Sequence, residues 1–124
     1  MRKPSSPSVK ITYFDKVGVR QALADYVTKL IAPRPEVRRV ILFGSVARGD
    51  AVPGSDVDLL LVLSSADKPF LERMLEYLPD RFPVGVDVFA YTEEEIQSML
   101  SEGNWFIRRA LSEGEVLFDR GKAA

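Results

Sequence analysis

The sequence predicts a small single-domain α/β fold, a mixed β-sheet flanked by helices. Three observations predict it. Strand-like apolar runs alternate with segments of helical periodicity, prolines and glycines separate the two kinds, and 124 residues make one domain without internal repeats. A chain of this size buries about two-thirds of the surface its unfolded form exposes, so it folds without a disulfide or metal staple.

Met1–Ser8 holds two prolines and three serines. It buries little apolar area, so residues 1–10 are expected to be a flexible segment ahead of a domain over 11–124. From Asp15 to Ile31 the apolar positions Val19, Leu23, Tyr26, Val27, Leu30 and Ile31 recur at helical spacing, and Pro33 and Pro35 end the helix. Val37–Phe43 reads as a strand. Gly44 breaks it, Ser45 can cap a short helical turn to Arg48, and Gly49 closes that turn. Pro53 and Gly54 turn the chain into a second strand, Asp56–Leu63. Pro69, at a first helical position, opens a helix to Leu78 with Phe70, Leu71, Met74, Leu75 and Leu78 as its apolar face. Pro79 and Pro83 bracket the link to a third strand, Val84–Ala90. Thr92 with Glu95 forms a capping box for a helix to Leu100. A further helix covers Asn104–Ser112, and Val116–Phe118 suggests a short last strand.

Composition narrows the chemistry. Seventeen basic against eighteen acidic residues, a formal charge of −1, argue against a broad nucleic-acid surface, which needs phosphate neutralisation. Cysteine is absent, so there is no thiolate metal site. Histidine is absent too, which leaves carboxylates, lysine, tyrosine or metal-bound water for acid–base work and suits Mg2+ or Mn2+ on oxygen ligands. No signal peptide and no apolar run of membrane-spanning length is seen, and a cytoplasmic protein is expected.

The stretch ILFGSVARGDAVPGSDVDLLLV, Ile41–Val62, carries the chemistry. Gly44 and Ser45 stand between a strand and a helical turn, where free amides favour a phosphate, and Arg48 can meet phosphate oxygens or nearby carboxylates. Such a turn alone is commonplace. Alternation along a strand puts Asp56 and Asp58 side by side on one face. At roughly 5 Å they repel by about 1 kcal/mol in water and about 3 kcal/mol at an effective dielectric of 20, an arrangement that wants a cation. Read singly, they are a turn aspartate and an exposed strand carboxylate. The unbroken apolar run Leu59–Leu63 implies a strand buried on both faces, where a carboxylate needs a partner. Asp87 is the one charged group in the run Val84–Phe89. An ion pair with Arg48 or Arg81 would account for it, and so would a cation shared with Asp56 and Asp58.

Gly44-Ser45, ten intervening residues, Asp56, Val57, Asp58 and a third aspartate on a later strand resemble the nucleotidyltransferase superfamily that includes DNA polymerase β. Arg48-Gly49 and Ser55 match its minimal nucleotidyltransferases, and the resemblance covers most of the chain. It implies a nucleotidyltransferase domain over 11–124, with Asp56 and Asp58 holding two Mg2+ ions, Mn2+ being an alternative. Asp87 would complete the second site and assist removal of the acceptor proton. Gly44, Ser45, Arg48 and Ser55 would bind the nucleotide. Two cations bridging attacking and leaving oxygens neutralise charge that builds during in-line phosphoryl transfer.

The chain has little beyond this core, so the acceptor site is expected to come from elsewhere. The resemblance implies ATP or another nucleoside triphosphate as donor, and a tyrosine of a helical HEPN-type toxin as acceptor, which would make this chain an enzymatic antitoxin. The alternatives are an antitoxin that binds nucleotide and acts by contact alone, or transfer to a small molecule held between two subunits of a homo-oligomer. The apolar tail around Trp105, Phe106, Ile107, Ala110, Leu111 and Phe118 could serve an interface, but reads first as a helix closing the domain's own core. Arg108 and Arg109 are expected to be solvated, and Arg38 and Arg39 to flank a strand.

Overall fold

The computed structural model describes residues 14–121, so the N-terminal segment 1–10 lies outside the described residues. The first helix among the described residues, α1 (Lys16–Tyr26), starts where the Asp15 carboxylate accepts from Gly18 N–H at 3.0 Å. It continues as a π-helical turn, Val27–Ile31, closed by Ala32 N–H donating to the Val27 carbonyl at 2.8 Å. The expected length is right, with a wider last turn that leaves Ile31 fully buried.

Strand β1 (Val37–Phe43) leads through the short helix α2 (Ser45–Arg48) to β2 (Val57–Leu63). A crossover through α3 (Phe70–Glu76) reaches β3 (Val86–Thr92), then follow α4 (Glu93–Ser101), α5 (Trp105–Glu113) and β4 (Glu115–Asp119). The sheet order is β3-β2-β1-β4. It is mixed, because β1 runs antiparallel to both β2 and β4 while β2 and β3, joined by the crossover, are parallel. Thr92 and Glu95 form the reciprocal capping box read in the sequence, while Asn104, expected inside the last helix, caps it, its side chain accepting from Ile107 N–H at 3.0 Å.

Alternation along the strands sorts the core into two layers. Val40, Leu42, Val57, Leu59, Leu61 and Leu63 pack against Val19, Leu23, Tyr26 and Ile31 on the α1 side. Ile41, Leu60 and Val62 meet Ile96 of α4 and Ile107 and Ala110 of α5 on the other. Strand β2 is therefore covered on both faces, as its unbroken apolar run implies. The tail helix α5 closes the core, as read first.

Three expectations need correction. Pro69 is the cap of α3 rather than its first residue, and β2 and β3 start at Val57 and Val86, after the predicted starts. The apolar face expected for α3 is not the buried one: Leu71 and Leu75 are 73% and 72% exposed, while Arg73 is 7% exposed. Arg73 turns inward because acceptors await it there. Its Nε donates to the Lys68 carbonyl at 2.7 Å, and its Nη1 to the Ala90 carbonyl at 3.2 Å and to Glu95 Oε1 at 2.7 Å. A buried guanidinium so satisfied ties α3, β3 and the α4 capping box together.

Candidate active site

Asp58 lies on β2 two residues before Leu60, on the sheet face that α4 and α5 cover farther along the strand. Across the sheet it is paired in register with Phe43 of β1 on one side and Asp87 of β3 on the other. Asp56 precedes the strand, and Val57 N–H donates to the Gly85 carbonyl at 2.9 Å, which fastens this end of β2 to the entry of β3. The parallel register thus brings together two carboxylates 29 positions apart in the sequence.

Two glycines make room for these carboxylates. Gly44 caps α2 with φ 80° and ψ −159°, a region almost confined to glycine, and a Cβ there would collide with Asp58 Oδ2. A Cβ on Gly85 would stand 2.5 Å from Asp56 Oδ1. Ser45, expected as the cap of α2, is its first residue, and the turn is closed as predicted by Gly49 in the left-handed region.

Asp58 is half-buried, whereas Asp56 and Asp87 are exposed. The expectation that Asp87 is a buried charge in need of a partner is therefore wrong. Strand β3 is the sheet edge, and Asp87 sits at its open beginning. Burial pushes the Asp58 carboxyl above the usual carboxylate range, the Asp87 and Asp56 charges push it further, and Arg48 offsets part of the rise.

Arg48 is exposed, and its Nε donates to Asp50 Oδ2 at 3.3 Å. The Ser55 hydroxyl accepts from Val52 N–H at 2.9 Å and closes the loop ahead of β2. Among the described residues no group of three or more acidic side chains is arranged to hold a metal ion on its own. The donor chemistry still fits a hard divalent cation: oxygen ligands only, a carboxylate raised by burial and then by its like-charged neighbours, and glycine clearance on two sides. Mg2+ is typically bound by one or two carboxylates together with substrate phosphates and water.

Beside Gly44 opens a cleft of about 300 Å³ whose other wall is α5, with Trp105, Phe106 and Arg109. Its floor is an aromatic cluster in which Phe106 lies 5.5 Å from Phe43 and 5.0 Å from Phe89, ring centre to ring centre, fixing α5 against the site strands. The sequence reading missed Gly85 and the place of Arg109 beside the cleft. A glycine directly before a strand, two residues ahead of its aspartate, was a usable signal of close approach. The Arg109 side chain is substantially exposed, as expected, and also lines the cleft, where it donates to Glu113 and covers the Trp105 ring at 4.7 Å.

A glycine turn facing carboxylates at the open ends of neighbouring strands is a candidate group-transfer site of the phosphoryl-handling type. The sequence profile described as nucleotidyltransferase domain matches residues 23–114. A "putative protein adenylyltransferase" of Methanocaldococcus jannaschii is 32% identical over 100 residues, covering 79% of this chain and 96% of that protein. A bifunctional uridylyltransferase/uridylyl-removing enzyme of Azospirillum brasilense is 36% identical over 66 residues, 49% of this chain but 7% of that protein. In fold, a "putative nucleotidyltransferase" from Sulfolobus solfataricus superposes with a TM-score of 0.61 at 19% identity, covering 97% of this chain and 94% of that one. The chain belongs to the nucleotidyltransferase domain family and is a transferase. No helix among the described residues is long and apolar enough to cross a membrane.

Proposed function

We propose that the chain transfers AMP from ATP to a hydroxyl group of a protein, with Asp56, Asp58 and Asp87 as the ligands of Mg2+. The observation that carries this reading is the half-buried Asp58, set between Gly44 and two further carboxylates that raise its affinity for protons. The Methanocaldococcus jannaschii relative, matched over nearly its whole length, supports a protein acceptor and an adenylyl donor.

The acceptor oxygen attacks the α-phosphorus, a new P–O bond forms, the bond to the β-phosphate breaks, and pyrophosphate leaves. Bound Mg2+ would neutralise charge on the phosphate oxygens and draw the acceptor hydroxyl toward phosphorus. Asp87 takes the hydroxyl proton as an acceptor approaches from solvent, a role that its exposure at the sheet edge supports. Gly44 keeps the Asp58 carboxylate beside the phosphate turn, and Ser45 and Arg48 contact the phosphates. Ser55, whose hydroxyl is engaged within its own loop, shapes the approach to Asp56. We take the acceptor to be a tyrosine of a HEPN-type helical partner, a choice that rests on the resemblance of the motifs to minimal nucleotidyltransferases.

The test is incubation with labelled ATP, Mg2+ and the protein encoded next to this gene, followed by mass analysis. Label on a tyrosine of that partner, lost in the Asp56→Ala, Asp58→Ala double variant, is the expected result. Tight binding of the partner without label would instead assign a contact-only antitoxin. Label transferred only to small molecules would refute the protein acceptor.

A further inference from the structure

We propose that the cleft between the Gly44 turn and α5 receives the β- and γ-phosphates of the nucleoside triphosphate, and that Arg109 is a positioning residue that holds them together with Arg48. The assignment rests on the reading of ATP as donor. The cleft begins at Gly44, against which the Asp58 carboxylate lies, so it is continuous with the carboxylate site. Two guanidinium groups stand on its walls, one from α2 and one from α5.

Each guanidinium is engaged only locally. Arg48 Nε meets Asp50 at 3.3 Å, and Arg109 Nη2 meets Glu113 at 3.0 Å in an i,i+4 pair, all four side chains being substantially exposed. Pairs of this kind are weak and are readily exchanged for a better acceptor. A polyphosphate presents planar sets of anionic oxygens that a guanidinium grips through two parallel bonds, a stronger match than either local pair. Glu113 lines the same cleft and acts as a placeholder: its carboxylate holds Arg109 over Trp105 until phosphate displaces it. The aromatic surface of the cleft is less suited to a base. Arg109 covers the Trp105 ring, and Phe106 is already packed edge-on against Phe43.

Trp105 is the one tryptophan of the chain and is 66% exposed, so its emission reports movement of the guanidinium above it. The wild type and the Arg109→Ala, Arg109→Lys and Glu113→Gln variants would be titrated with ATP, inorganic tripolyphosphate and AMP in the presence of Mg2+. Calorimetry gives the affinities, Trp105 emission the local change, and circular dichroism checks the fold. ATP and tripolyphosphate should shift the emission of the wild type, and AMP should not. Arg109→Ala should bind ATP and tripolyphosphate about tenfold more weakly with AMP affinity unchanged, the loss expected for a charge-assisted bond. Arg109→Lys should recover part of it, and Glu113→Gln should bind ATP more tightly than the wild type. Unchanged ATP affinity in Arg109→Ala would overturn the role of Arg109 and leave the transfer reading intact. An equal loss of AMP affinity would place the nucleoside in the cleft and overturn the phosphate assignment. A wild type that binds neither ATP nor tripolyphosphate would overturn both the assignment and the reading on which it rests.

Discussion

Replacing Gly44 by alanine tests whether the turn exists to hold the Asp58 carboxylate. At φ 80° and ψ −159° any residue with a Cβ is strained, by about 2 kcal/mol for a region of this kind. The new methyl group would also collide with Asp58 Oδ2, so backbone or carboxylate must move. For a domain between the small and medium size ranges, about 4 °C per kcal/mol puts the fall in melting temperature near 8 °C. Two controls separate strain from displacement. Gly49 also has positive φ, 84°, but nothing lies within 4 Å of where its Cβ would be, so Gly49→Ala carries only the left-handed penalty of about 1 kcal/mol. Gly85 lies outside the left-handed region and its Cβ would press on the Asp56 carboxylate at 2.5 Å, so Gly85→Ala should disturb the site with little change in stability. Melting curves and Mg-ATP calorimetry of the three variants should show nucleotide binding damaged in Gly44→Ala and Gly85→Ala but retained in Gly49→Ala. Wild-type nucleotide binding by Gly44→Ala, or an equal binding loss in Gly49→Ala, would refute the reasoning.

Asp58→Asn should melt at a higher temperature than the wild type at pH 7 in the absence of divalent ions. The folded-state affinity of Asp58 for protons is raised by burial, Asp87 and Asp56, so the ionised carboxylate opposes folding above its folded pKa. As pH falls through that raised value toward the unfolded value of about 3.9, the folded state takes up the proton and the advantage of the variant should vanish. Melting temperatures at pH 7 and pH 4 check it, and an advantage that grows in acid would refute it. Arg73→Ala should destabilise by about 3 kcal/mol, near the low end for breaking a buried pair, since Glu95 remains partly solvated. Urea unfolding measures this, and a loss below about 1 kcal/mol would show that the contacts to Ala90 and Lys68 are dispensable.

What was legible in the sequence depended on local chemistry. Strand β1 follows from the prolines before it and Gly44 after it, and the start of α4 from the Thr92–Glu95 capping box, signals that act within a few residues. The closeness of Asp56 and Asp58 was legible for the same reason. Decisions made by tertiary partners were not. The inward turn of Arg73 depends on carbonyls of Lys68 and Ala90 and on Glu95, up to 22 positions away, so apolar spacing along α3 pointed to the wrong face. The exposure of Asp87 depends on β3 being the sheet edge, a matter of strand order that no pattern within the strand records. Arg109 reads as one of two adjacent surface arginines until α5 is docked beside Gly44.

The correction at Asp87 sharpens the case for a functional site. A buried carboxylate would have had a folding reason to recruit a partner, and its pairing would say little about chemistry. Asp56 and Asp87 are instead exposed, so neither needs the others in order to be tolerated. Folding alone would be better served by separating them, since both charges raise the proton affinity of half-buried Asp58. The chain nevertheless fixes all three at the mouth of the sheet, through the β2–β3 register and through glycines at Gly44 and Gly85 that leave the carboxylates room. An arrangement that opposes stability and is yet held by backbone register and glycine geometry is the signature of a site whose compensation comes from what it binds. For a nucleotidyltransferase without histidine, we propose that the compensating charge is a divalent cation arriving with the triphosphate, which would account for all three aspartates at once.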